Sequence, residues 1–174
     1  MTTKTRIWLA GITLTAIFAL LQASADSYAQ GGDELPAVVK KIAAALKKGD
    51  ADAAKKLTTA TAKNVKLIDE ISDLMHMYRP VDKGGLGIES SLKKATAKNA
   101  EDLANLVRAM ADLSIAKGWA DPKGKRTKKA WNDLNDEMRT AADGLAKAKN
   151  DKAAAAAAAK VTNTCNRCHT LFKD

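Results

Sequence analysis

The stretch Cys165-Asn166-Arg167-Cys168-His169-Thr170-Leu171-Phe172-Lys173-Asp174 carries the pattern C-x-x-C-H, and its reading decides what the preceding residues must build. This spacing is the attachment motif of a c-type haem. On a helix, residues three and four apart share a face. Cys165, Cys168 and His169 therefore stand side by side, two thiols able to form thioethers and one imidazole able to reach the iron as proximal ligand.

Other uses of two cysteines three apart fit less well. A thioredoxin-like redox motif needs a βαβ context, and no strand pattern is readable here. A structural zinc site takes four ligands, whereas the chain has no third cysteine and one other histidine, His76. A disulfide closing so short a loop gains little. The expected cofactor is therefore one covalent haem c.

Length allows one domain with a real core. The net charge of +9 speaks to partners rather than to fold. No nucleic-acid motif is present, and with 4% aromatic residues there is little to stack on bases. An alanine-rich chain with so few large side chains buries a thin core, and a porphyrin would supply the missing apolar bulk.

Lys4 and Arg6 precede an apolar run from Ile7 to Leu21, and small residues follow. This is the layout of a secretory signal peptide over residues 1–29, with cleavage after Ala25 or Ala29. The run is shorter than the roughly twenty residues of a membrane span, so removal is favoured over an uncleaved anchor. The expected product is a periplasmic haem-binding domain over 30–174 with no membrane span. Export agrees with the motif, since two free thiols would otherwise pair in an oxidising compartment.

The rest of the chain reads as helices. Asp33 and Pro36 open a short one with Leu35, Val38, Val39, Ile42 and Leu46 on one stripe. It ends at Gly49 and reads as an addition to a bundle. A second helix is expected from Ala51 to Arg79, stopped by Pro80, with a seam through Leu57, Ala60, Asn64, Leu67, Ile71, Leu74 and Tyr78. Asn64 is a polar intruder on that seam. Residues 80–90 are rich in glycine but lack the Gly-Lys-Ser/Thr ending of a P-loop. They read as a crossover or as a flap against the porphyrin. A third helix starts near Asn99, paired with Asp102 as a cap, and runs to Gly118. A basic turn spans 118–129. The fourth helix follows Thr127 with a seam through Trp131, Leu134, Met138, Ala141, Leu145 and Ala148. The last starts near Asn150, runs through Ala153 to Ala159, and puts Val161, Cys165, Cys168, His169 and Phe172 on one stripe. The fold class is all-α, an antiparallel four-helix bundle with an additional short N-terminal helix.

Amphipathic helices with C-x-x-C-H in the last of them resemble the class II c-type cytochromes, the cytochrome c′ family. Lys129-Ala130-Trp131 is similar to that family's Lys-x-x-Trp helix entry. Val161 to His169, followed by Leu171-Phe172-Lys173, is similar to its haem-bearing helix. The likeness covers residues 99–174 best. It implies a four-helix bundle, a covalent haem, a periplasmic home and often a homodimer. The stretch Lys56 to Lys63, where the family carries its distal residue, has neither Met nor His.

Outside the motif, Leu74-Met75-His76-Met77-Tyr78 is the only cluster of iron ligands. Met75 shares the apolar face with Ile68, Ile71 and Tyr78, while His76 falls with Asp69, Ser72 and Asp73. The sixth position is thus open between Met75 as distal ligand, His76 and no ligand at all. An up-down bundle would place this cluster at the pole away from the haem. Two functions follow: an electron carrier, or a five-coordinate binder of a small gas such as nitric oxide. The carrier would use Lys123, Lys125, Arg126, Lys128, Lys129, Arg167 and Lys173 to meet an acidic redox partner. Enzymatic turnover has no support, since there is no spare histidine or carboxylate pair.

Overall fold

A computed structural model describes residues 34–173, and these are all-α. The expected signal peptide, its cleavage sites and the Asp33 cap lie outside them. Seven α-helices are present among the described residues: α1 (Leu35–Lys47), α2 (Ala51–Lys63), α3 (Ile71–His76), α4 (Ile88–Leu92), α5 (Ala100–Lys117), α6 (Lys128–Ala146) and α7 (Asp151–Phe172). A 3-10 turn covers Val81–Lys83.

Helix boundaries follow local chemistry. Asp50 accepts from the Ala53 amide at 3.0 Å, Thr127 from Ala130 at 3.0 Å and Asn150 from Ala153 at 2.9 Å. Each side-chain oxygen satisfies an amide that has no partner in the first turn, an effect of about 1 kcal/mol. Asn99 departs from this pattern. It holds the N-cap position of α5, but its side chain turns back to accept from Thr96 N–H at 2.8 Å. The expected pairing of Asn99 with Asp102 is not made.

Helix α5 is the centre of the packing, with α1, α2 and α6 against it along their length and α3 and α4 against it over shorter stretches. Helix α7 packs on α6 and α4. Arg108 pairs with Asp143 at 3.3 Å and Arg139 with Asp112 at 2.9 Å. Residue numbers thus fall on α6 as they rise on α5, and the two run antiparallel. The same reversed register links α6 to α7, where Trp131 meets Phe172 and Glu137 meets Arg167.

Three expectations are corrected here. The helix expected over 51–79 breaks at Asn64, which is the C-cap of α2 and accepts from Lys66 N–H at 3.0 Å. Asn64 is therefore a helix stop and not a seam residue, because its short amide bonds the backbone two residues on and competes with the next helical turn. The helix then restarts at Ile71, so that Leu74 is deeply buried as expected but is joined by Met77 in place of Tyr78, which is half-buried like Met75. Finally, α1 is no appendage. Val39 and Ile42 are fully buried against α5 and α2, each contributing about 1.5–3 kcal/mol of burial.

Between α2 and α5 the place of a continuous helix is taken by a knot over residues 77–89. Leu86 N–H donates to Met77 O at 2.8 Å, Gly87 to Arg79 at 2.7 Å, Glu89 to Tyr78 at 3.1 Å and Gly85 to Pro80 at 3.1 Å. The glycines allow this approach. A Cβ on Gly85 would stand 2.2 Å from the Arg79 carbonyl oxygen, and Gly87 sits at φ +68° as the N-cap of α4.

Candidate functional site

The C-terminal half of α7 carries the candidate site. Its first half is nearly all alanine, the residue with the best helix propensity, and Ala154, Ala158 and Val161 bury one narrow stripe. That stripe continues through Thr164 to Phe172, so its edge presents Cys165 and Cys168 half-buried and His169 exposed. Both thiols are free. His169 thus stands at the rim of the inward face rather than on it.

Two apolar groups wall the ridge. Cys168 packs against Trp131, Leu134 and Phe172, joined by Ile71 and Trp119. The three rings stack closely: Trp119 lies 4.7 Å from Phe172 and 5.2 Å from Trp131, and Trp131 lies 5.2 Å from Phe172. The two contacts of Phe172 are edge-on, and contacts of this kind add to simple burial. Trp131 Nε1–H donates to Ser114 O at 2.8 Å, which fixes the ring between α5 and α6. Cys165 packs on the main core, as do Tyr78 and Met75.

The break at Asn64 decides what reaches this pole. Lys117 Nζ donates to Ile68 O at 2.7 Å, tying the segment after α2 to the C-terminal end of α5. Ile71 then reaches the Trp131–Phe172 group, and Tyr78 packs on the same core as Cys165, with its hydroxyl pushed well up, chiefly by burial and further by the two nearby cysteines. The segment with Met75 and His76 therefore comes to the pole of the C-x-x-C-H, against the up-down expectation. Met75 is half-buried on α3 and His76 is exposed.

The glycine-rich stretch also lies here, since α4 packs on α7. The Glu89 carboxyl is held below its ordinary value by its hydrogen bond and charge pairing with Lys93, with a smaller contribution from His169. The basic turn meets the end of α7, where Arg126 Nε donates to Leu171 O at 3.1 Å. An open groove of about 430 Å³ between α6 and α7 is lined by Leu134, Glu137, Arg167 and Leu171, on the Arg167 side of α7 rather than on the thiol ridge.

Burial pushes Cys165 up and Cys168 up to about 11, with each thiol held as neutral S–H among apolar atoms. A dithiol used for exchange works through a stabilised thiolate, which this environment disfavours. Among the described residues no three His, Cys, Asp or Glu side chains converge as a metal site. The donor set fits haem c instead: two unpaired thiols and an imidazole on one ridge, against apolar and aromatic walls.

Sequence reasoning missed Tyr78 and Trp119 as neighbours of the ridge. The periodicity gives Tyr78 as a seam residue beside Met75 in the candidate-ligand cluster, and Trp119 as part of a turn, without relating either to the thiols. The scarcity of aromatic residues is the signal that could have found them, because Trp119, Trp131 and Phe172 gather at one pole among the described residues. Among the described residues no helix is long and apolar enough to cross a membrane. Comparison with protein-family models, with curated proteins and with solved structures gave no match.

Proposed function

We propose that this chain is an exported c-type cytochrome that carries one haem c and passes single electrons in the periplasm. Cys165 and Cys168 would hold the porphyrin by thioethers, and His169 would be the proximal ligand. The bound haem would supply the ferric–ferrous couple, with its potential set by axial ligand, burial and nearby charge. Met75 is the candidate distal ligand of this carrier form.

The observation that carries the reading is the ridge itself: free Cys165 and Cys168 with His169 beside them, on the edge of a helix whose Phe172 packs with Trp131 and whose Cys165 shares a core with Tyr78. Lys125 and Lys128 are exposed and make no ion pair among the described residues, while Lys123 and Lys129 pair with Asp121 and Asp133. This face would meet an acidic redox partner at a salt-sensitive rate.

A second reading keeps the same haem but leaves the iron five-coordinate, to bind a small gas such as nitric oxide. It is favoured by the Tyr78 hydroxyl, a half-buried donor whose partner is a thioether. Haem staining of the denatured, exported protein and its resting absorption spectrum test both. A low-spin spectrum with a methionine–iron band supports the carrier, and a high-spin spectrum supports the gas binder. A colourless protein with its sulfurs free or joined to each other refutes the haem.

A further inference from the structure

The knot over residues 77–89 is densely bonded, backbone to backbone, for a non-helical segment. Its effect is to immobilise Tyr78. The Tyr78 carbonyl accepts from Glu89 in the first turn of α4, and the residues on both sides of Tyr78 accept from Leu86 and Gly87. Helix α4 in turn packs on α7. The phenol is thereby carried on a backbone braced against the helix that bears the thiols.

What the phenol reaches is unusual. Its hydroxyl donates to Met138 Sδ at 3.3 Å, from a residue on α6 that is 6% exposed. A thioether is a weak acceptor. A hydroxyl packed on a core normally finds a stronger one, and here the half-buried phenol packs on the same apolar core as Cys165. The donor is held in place without an acceptor that matches it, beside the ridge where a haem would be attached.

We propose that Tyr78 is the hydrogen-bond donor of the haem pocket, exchanging the Met138 thioether for a small anionic or diatomic acceptor bound at the haem. The proposal rests on the haem reading above and deepens its second form, since it names the class of ligand. The glycine-rich knot is then the scaffold that keeps this donor aimed, and Met138 is its resting partner.

Fluoride, a small and strong acceptor, is the probe. Haem-loaded wild-type, Tyr78→Phe and Met138→Leu proteins are titrated with it in the ferric state and the affinity read from the optical spectrum. A hydrogen bond to a charged acceptor corresponds to roughly 10- to 100-fold in affinity, so Tyr78→Phe should weaken fluoride by about that factor. Met138→Leu, which keeps the packing but removes the resting acceptor, should bind fluoride as tightly as wild-type or tighter. Equal affinity in wild-type and Tyr78→Phe overturns the proposal. So does an equal loss in Met138→Leu, which would mean that the pair acts only by filling space. A wild-type protein that takes no fluoride also overturns it. Haem staining separates the two levels: an unstained protein removes the haem reading, whereas a stained one with no fluoride difference removes only the role of Tyr78.

Discussion

Gly85→Ala is the sharpest test of how the site is braced. The added methyl group would meet three backbone atoms: the Arg79 oxygen at 2.2 Å, the Arg79 carbonyl carbon at 2.7 Å and the His76 oxygen at 2.7 Å. None is the end of a flexible side chain, so the chain has two ways out. It can strain the packed backbone, as overfilled cores do at about 1–3 kcal/mol or more. It can instead release the loop and lose the bonds from Gly85, Leu86, Gly87 and Glu89 to residues 77–80, each with a net worth of about 1 kcal/mol. The cheaper route sets the cost, at about 2–4 kcal/mol, or roughly 6–15 °C in melting temperature for a domain of this size. Gly84→Ala is the internal control. Gly84 sits at φ +78° but a Cβ there meets nothing within 4 Å, so only the left-handed strain of about 1 kcal/mol remains. Urea unfolding of the two variants reads the difference. A Gly85→Ala protein within about 0.5 kcal/mol of wild-type, or no worse than Gly84→Ala, refutes the close approach of residues 77–80 and 85–89.

Three further outcomes are expected. In the haem-free protein, folding favours the protonated forms of Cys168, Cys165 and Tyr78, all pushed up chiefly by burial. The folded chain therefore keeps protons that the unfolded chain loses between the ordinary thiol value of 9.0 and about 11. Stability should fall as pH rises through that window and stay level from pH 7 to 8; a urea midpoint unchanged at pH 10.5 would contradict thiol burial. Trp131→Phe removes the donor to Ser114 O, but that oxygen also accepts from Gly118 N–H at 3.0 Å. The loss should be nearer 1–2 than 3 kcal/mol, read by thermal melting. Charge reversal of Lys125 and Lys128 together should slow electron transfer to an acidic acceptor protein several-fold at low salt and little at high salt. A slowing that is the same at both ionic strengths would place the docking face elsewhere.

Much of the helical framework could be read from the residues alone. Asp50, Thr127 and Asn150 announce helix starts because each supplies a side-chain oxygen where amides lack partners, and Gly49 and Gly118 announce stops. The long apolar stripes of α5 and α6 allow no other placement of Leu103, Val107, Met110, Trp131, Leu134 and Met138. The candidate site is local in the same sense, since three and four residues of helix are enough to align Cys165, Cys168 and His169.

What the periodicity could not resolve was the stretch from 64 to 99. Its apolar spacing continues past Asn64 as if the helix did, yet one asparagine amide bonding Lys66 N–H is enough to stop it. The helix resumes at Ile71, and Leu74 is buried as the seam has it, but Met77 is buried where a continuous seam would have favoured Tyr78.

The sequence by itself therefore determined the all-α class, the bounds of the long helices and the alignment of thiols and imidazole, because each depends on neighbours within a turn or two. Only the tertiary structure decided that α1 belongs to the core and that the segment after α2 swings to the pole of the cysteines. It also decided that Tyr78, not a ligand of obvious type, stands beside them. Those outcomes depend on which distant carbonyl Lys117 reaches and on how closely Gly85 can approach Arg79. Contacts between residues far apart in the chain leave no period in the sequence that forms them.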